Sequence, residues 1–169
     1  MAKRLWLLLL IAALSLGLAT GAAAASKDEV KALKAKVGQA AQYLAKKGPE
    51  ALKEFNDPKG KWAKEPYIFA YKLDGTCLAL PYQPELVGSN RLGLKDDKGR
   101  AFVAEMVSVT KSNKGQGWVE YNYQRPDKLQ APAVKKAAWV MRVPGQDMFV
   151  GAGIYGVTKS QVTTWGKGR

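Results

Sequence analysis

The chain has 169 residues, 27 Lys and Arg against 14 Asp and Glu, a formal charge of +13, no histidine and a single cysteine, Cys77. This composition excludes Ser-His-Asp and Cys-His nucleophile pairs, HExxH zinc sites, histidine proton shuttles, an intrachain disulfide and a cysteine metal cluster. What remains is a small basic domain that binds rather than transforms, with no catalytic residue, metal set or cofactor motif.

Lys3 and Arg4 precede an apolar run, Leu5 to Leu14, and small residues follow as far as Ala23-Ala24-Ala25. That order fits a secretory leader with small-x-small cleavage, leaving Ser26 as the first mature residue. The run is short for a membrane span. The expected domain plan is therefore a signal peptide over 1–25 and one ligand-binding domain over 26–169, with an uncleaved anchor as the alternative. No later segment is apolar enough to cross a bilayer, so a periplasmic or secreted mature form that does not span the membrane is expected. Its lysines are scattered (Lys31, Lys34, Lys46, Lys47, Lys59, Lys61) rather than gathered in an Arg-rich run. Scattered charge argues against nucleic acid and for a solvated face that attracts anions.

Ser26-Lys27-Asp28-Glu29 matches a capping box, and Val30, Leu33, Val37, Ala40, Ala41 and Leu44 recur at helical spacing behind it. Gly48 stops that long helix, and Pro49 opens a second, carrying Ala51, Leu52 and Phe55 to Asn56. Tyr67 to Leu73 reads as a strand, Asp74-Gly75 as a tight turn and Thr76 to Leu80 as its partner. Pro81 to Leu94 is an irregular connection. Phe102, Val103, Met106, Val107 and Val109 fit a short helix ending near Asn113 to Gly115. Asp96 and Gly99 shape the turn before it and are expected to cap it. Three more strands follow: Gly117 to Tyr123, Val134 to Val143 and Asp147 to Tyr155. Short turns pair neighbours antiparallel, so the fold class is α+β: a five-stranded antiparallel sheet, a long N-terminal helix and a short helix between strands two and three.

Alternation puts Trp118, Glu120 and Asn122 on one face of their strand and Val119, Tyr121 and Tyr123 on the other. In the next strand Lys136, Ala138, Val140 and Arg142 share a face. A lysine beside small apolar neighbours is unusual there. If it points inward its ammonium needs a counter-charge, which a ligand carboxylate supplies. Otherwise it is exposed or pairs with Glu120. Tyr67, Tyr121 and Tyr155 can each offer an O–H to such a carboxylate, or serve as sheet-face core. Gly151 and Gly153 alternate along the last strand, which suits close approach of a ligand or backbone, a bulge or tight helix packing. Cys77 reads as a buried small apolar residue.

These segments, taken in order, resemble the single Cache domain, an extracytoplasmic PAS-like sensor module. The resemblance rests on Tyr67 to Pro81 (YIFAYKLDGTCLALP), Pro84 to Asn90 (PELVGSN), Leu94 to Arg100 (LKDDKGR), Gly115 to Tyr121 (GQGWVEY), Pro126, Lys135-Lys136 and Gly151 to Tyr155 (GAGIY). It implies a pocket between the sheet and its cover for small molecules, often short carboxylates. Leu80 stands where a histidine commonly precedes the proline, which implies a more apolar pocket. The family usually sits between two membrane spans of a receptor or sensor kinase. Here a stand-alone form is expected, which signals through a membrane-bound partner or merely binds its ligand. The expected ligand-binding residues are Tyr67, Phe69, Trp118, Tyr121, Lys136 and Tyr155, and the expected ligand is a small organic anion. The alternative function is a structural or adaptor protein of the envelope that docks through its basic surface.

Overall fold

In the computed structural model, which describes residues 26–166 apart from 129, a capping box opens the first helix. The Glu29 amide donates to Ser26 Oγ at 3.2 Å, and the Ser26 amide donates back to Glu29 Oε2 at 2.6 Å. Helix α1 then runs Lys27–Lys47 and buries Val30, Leu33, Val37, Ala40, Ala41 and Leu44 along one stripe. Burying each of the larger of these contributes about 1.5–3 kcal/mol. Gly48, at φ 74°, ends the helix, and its amide donates to the Leu44 carbonyl. A 3-10 turn at Pro49–Ala51 leads into α2, Leu52–Phe55.

The strands are β1 Phe69–Lys72, β2 Cys77–Ala79, β3 Gln116–Tyr123, β4 Val134–Arg142 and β5 Met148–Tyr155. They form one sheet in the order β2-β1-β5-β4-β3, antiparallel throughout. Helix α3, Phe102–Lys111, lies between β2 and β3 in the chain, as expected from its apolar spacing. The α+β architecture read from the sequence is therefore the one observed.

Each face of the sheet has its own cover. On one side the α1 stripe packs with Trp118, Ala137, Val150 and Ala152. On the other, Phe102, Val103 and Met106 of α3 close over Phe69, Val119, Tyr121, Ala138, Val140 and Phe149. Two side chains pin the first helices to the sheet. Lys36 Nζ donates to the carbonyls of Lys64 and Pro66, just ahead of β1. Asn56 donates to the carbonyls of Leu52 and Leu78 at 3.1 and 2.9 Å and accepts from the Leu80 amide at 3.1 Å, holding β2 against α2.

Three details differ from expectation. The first hairpin is shorter than Tyr67–Leu73 and Thr76–Leu80: the Ile68 amide donates to the Trp62 carbonyl instead of a neighbouring strand, and the β1–β2 register shifts between Ala70 and Tyr71. Asp96 does shape its turn, accepting from the amides of Lys98, Arg100 and Asn122, but no side chain caps α3. A fourth helix, α4 Lys159–Gly166, packs Val162 into the α1 layer. Its signal is the sequence Thr158-Lys159-Ser160-Gln161, a second capping box: Gln161 N donates to Thr158 Oγ1 at 3.2 Å and Thr158 N to Gln161 Oε1 at 2.8 Å. The leader expected over 1–25 lies outside the described residues. Among the described residues no helix is long and apolar enough to cross a membrane.

Candidate functional site

Pairing across three strands places Tyr121, Lys136 and Tyr155 side by side in one row. Laterally paired residues share a face, so this row looks towards α3. The adjoining rows are Val119, Ala138 and Gly153, then Gly117, Val140, Gly151 and Phe69. Ala138 and the glycines in these rows leave side-chain space empty, and Gly153 is what allows a lysine to lie flat on the sheet. A Cβ at Gly153 would stand 2.5 Å from Lys136 Cε, and one at Gly151 would stand 2.5 Å from Phe69 Cζ. The two glycines are the bed for the lysine stem and the phenylalanine ring: side chains of the sheet itself, rather than a ligand or a helix, pack over them.

Lys136 is 1% exposed. Its Nζ donates to Tyr67 Oη at 2.9 Å and to Tyr155 Oη at 3.2 Å, and Tyr155 in turn donates to the Gln124 carbonyl at 3.1 Å. Four rings surround the nitrogen, with centroids at 4.3 Å (Tyr67), 4.6 Å (Tyr155), 5.4 Å (Tyr123) and 5.8 Å (Phe69). Such ring faces attract a cation, each by a modest amount. No carboxylate among the described residues forms an ion pair with it. Glu120, the partner that the sequence leaves open, lies on the other face, pairing with Lys135 at 3.6 Å and accepting from the Lys159 amide at 2.6 Å.

Burial pushes the Lys136 pKa down to about 7, with the field of Glu65 opposing and that of Arg125 assisting. The hydroxyls around it are held protonated. Burial, first of all, raises Tyr67, Tyr121 and Tyr155 well above the ordinary phenol value and lifts Tyr123 to about 12. At neutral pH the site therefore holds phenol O–H groups and an amine close to its titration point.

The cover is aromatic. Phe102 stacks on Tyr121 with centroids 4.4 Å apart and planes 5° from parallel. The connection after β2 adds Tyr82, edge-on to Tyr67 at 5.4 Å, and Gln83, whose Oε1 accepts from Tyr123 Oη at 2.6 Å. Between cover and sheet lies a cavity of about 10 Å3 lined by Tyr67, Phe69, Tyr71, Leu80, Phe102, Met106, Tyr121 and Tyr123. That is roughly the room of one water. The hollow expected from the resemblance is thus nearly filled by side chains, and Lys136, buried beside it, does not line the space that remains. Leu80 lines the cavity, in keeping with an apolar pocket. A wider cleft of about 600 Å3 opens on the far side of Tyr155, between Glu29, Lys36, Glu65, Arg125 and Ile154. A surface hollow of about 540 Å3 at the β4–β5 turn has only exposed charges, Lys114, Arg142 and Asp147, on its rim.

Five of the six residues singled out from sequence therefore meet: Tyr67, Phe69, Tyr121, Lys136 and Tyr155. Trp118 does not. It faces the α1 layer, edge-on to Trp139 at 5.3 Å, because strand alternation turns it away from Tyr121. Sequence reasoning also missed Tyr123, although it lies two residues after Tyr121 and so on the same face. Tyr71 follows from the same periodicity, two residues after Phe69, whereas Leu80, already read as a pocket residue, reaches this face through an irregular β2 in which Cys77 and Ala79 face opposite sides. Phe102 and Met106 could not be found that way, since only the packing of α3 brings them over the row. Among the described residues no three carboxylate or thiol groups converge to hold a metal ion.

A five-stranded antiparallel sheet with a long leading helix, its far face closed over a row of amine and phenol groups, defines a PAS-like class of domain. The family described as the Cache domain matches residues 50–161, and the chain belongs to it. Cache domains are extracytoplasmic ligand-binding sensor modules. The fold is also similar to three solved structures. One is described as the periplasmic sensor domain of a chemotaxis protein (TM-score 0.62, 22% identity, covering 78% of this chain and 95% of that one). A second is described as the structural basis for carboxylic acid recognition by a Cache chemosensory domain (TM-score 0.60, 25% identity, 78% and 92% covered). The third is a methyl-accepting chemotaxis protein from Vibrio parahaemolyticus (TM-score 0.61, 22% identity, 76% and 87% covered). No curated protein matches the chain.

Proposed function

We propose that this Cache domain senses a short organic anion outside the cytoplasmic membrane, without catalysis, and passes the change to a membrane-bound partner. The observation that carries the reading is Lys136: a buried amine-bearing side chain, aimed among phenol hydroxyls, with no carboxylate among the described residues paired to it. A ligand carboxylate supplies the missing charge and accepts from Lys136 Nζ and from the hydroxyls of Tyr67 and Tyr155. Similarity to a structure described for carboxylic acid recognition by a Cache chemosensory domain supports the same ligand class. The excess of Lys and Arg over Asp and Glu, which persists without Lys3 and Arg4, draws anions towards the domain.

A cavity of about 10 Å3 is too small for even a two-carbon acid. Binding therefore moves the cover, and Phe102, Met106 and the Tyr82-Gln83 pair are the parts that give way. Displacement of α3 is the event a partner reads, since a ligand shifts an equilibrium only by contacting its two states differently. The test is a thermal-shift screen of short mono- and dicarboxylates against the wild-type chain and Lys136→Met. A rise in Tm with at least one acid, absent in the variant, is expected. A folded wild-type protein that no acid stabilises at any concentration overturns the reading.

A further inference from the structure

The groups facing the Lys136 amine come from every element around it. They are Tyr67 just ahead of β1, Phe69 at its start, Tyr121 and Tyr123 from β3, and Tyr155 from β5. Glu65 and Arg125 act from further off. Five of these seven are neutral at pH 7 to 9, four as hydroxyls and one as a phenyl ring. The two charged groups oppose one another. A cation in this enclosure lacks both water and a counter-ion, so the empty site favours the uncharged amine.

A carboxylate placed beside the nitrogen reverses that balance. The anion stabilises the ammonium by several-fold more in this dry setting than in water. We infer that capture of a short carboxylate takes up one proton from solvent, so that the site reads anion plus proton, the elements of the carboxylic acid, rather than the anion alone. The proton adds to the lone pair of Lys136 Nζ, no covalent bond is broken, and the filled pocket gains no net charge. This deepens the proposed function and rests on it.

The geometry explains why the coupling is tight. The lysine stem lies in the groove over Gly153, with Cγ and Cε packed where a Cβ would be, so it cannot swing into solvent to stay hydrated. The empty-site pKa of about 7 places the change in a physiological range. Above it, each ligand binds with close to one proton and the apparent affinity falls about tenfold per pH unit; well below it, the affinity levels off.

The experiment is titration calorimetry of the wild-type chain with sodium acetate and sodium propionate. It is run at several pH values between about 6 and 9, in two buffers of very different ionisation enthalpy, HEPES and Tris. At the alkaline end the expected heats differ between buffers by the amount for one proton per ligand, and the dissociation constant rises about tenfold per pH unit. Lys135→Ala, on the opposite face, keeps both effects. Binding with equal heats in both buffers and a flat pH profile overturns the inference while leaving carboxylate sensing intact. Absence of binding by either acid at every pH, in a protein shown to be folded, overturns both.

Discussion

Gly153 and Lys136 occupy one space: the missing Cβ of the glycine is where the lysine stem lies, with Cε 2.5 Å and Cγ 3.0 Å from that point. A methyl group there must lift the lysine from the sheet and drive its amine into the rings above. Overpacking of this kind costs about 1–3 kcal/mol. Gly153→Ala is therefore expected to lower stability by that amount in denaturant titration and to abolish the carboxylate-induced rise in Tm. Gly38, in the middle of α1 with nothing within 4 Å of its would-be Cβ, is the control. Gly38→Ala is expected to stabilise the chain by about 0.5–1 kcal/mol and to leave binding unchanged.

The buried amine also sets a pH dependence of stability. Its folded-state pKa of about 7 lies below the unfolded value of about 10.4. Between the two, the unfolded chain holds a proton that the folded chain lacks, so stability rises with pH across that window. Below about 7 both states are charged and the rise is absent. The lysine is expected to contribute a slope of about 1.4 kcal/mol per pH unit near pH 8. Lys136→Met removes that slope, and urea denaturation of both proteins from pH 6 to 9 measures the difference. Parallel profiles for the two proteins would show that water reaches the nitrogen.

Asn56 joins three backbone groups of two elements through one amide. Asn56→Ala leaves the Leu80 amide and the Leu78 carbonyl without that partner, at a cost on the order of 1–3 kcal/mol. Because Leu80 lines the pocket, its amide is expected to exchange with deuterium markedly faster in the variant. Exchange at Leu80 unchanged from wild type would mean that the β2 end is held by other contacts.

The Thr158–Gln161 box secures α4, which lies on the α1 side of the sheet. Thr158→Ala is expected to cost about 1 kcal/mol, to raise deuterium exchange within Lys159–Gly166, and to leave carboxylate affinity as in wild type. A loss of affinity would tie α4 to the pocket on the opposite face.

How much of this could be read beforehand depends on the range of the forces involved. Helix α1 was legible from Ser26, Glu29 and six apolar positions, because caps and helical spacing act within a few residues. Helix α4 carries an equally local signal in Thr158 and Gln161, and it escaped notice for want of an apolar stripe behind it: Val162 alone is buried. Alternation placed Lys136 with Ala138 and Val140, and by the same rule set Trp118 against Tyr121, so that Trp118 belongs to the other layer. What alternation leaves open is which side of a strand is covered, since this depends on where α1 and α3 pack.

The sequence by itself determined the α+β order of elements, the antiparallel pairing, the exclusion of histidine and disulfide chemistry, and the presence of one lysine among small residues and tyrosines on a strand. Those features follow from local propensity and composition, which need no partner from afar. Only the tertiary structure decided that the lysine is sealed rather than solvated, that two glycines make its bed, and that Phe102 closes over Tyr121. Burial and missing volume are properties of residues far apart in the chain packed at near-crystalline density, and no window of sequence contains them.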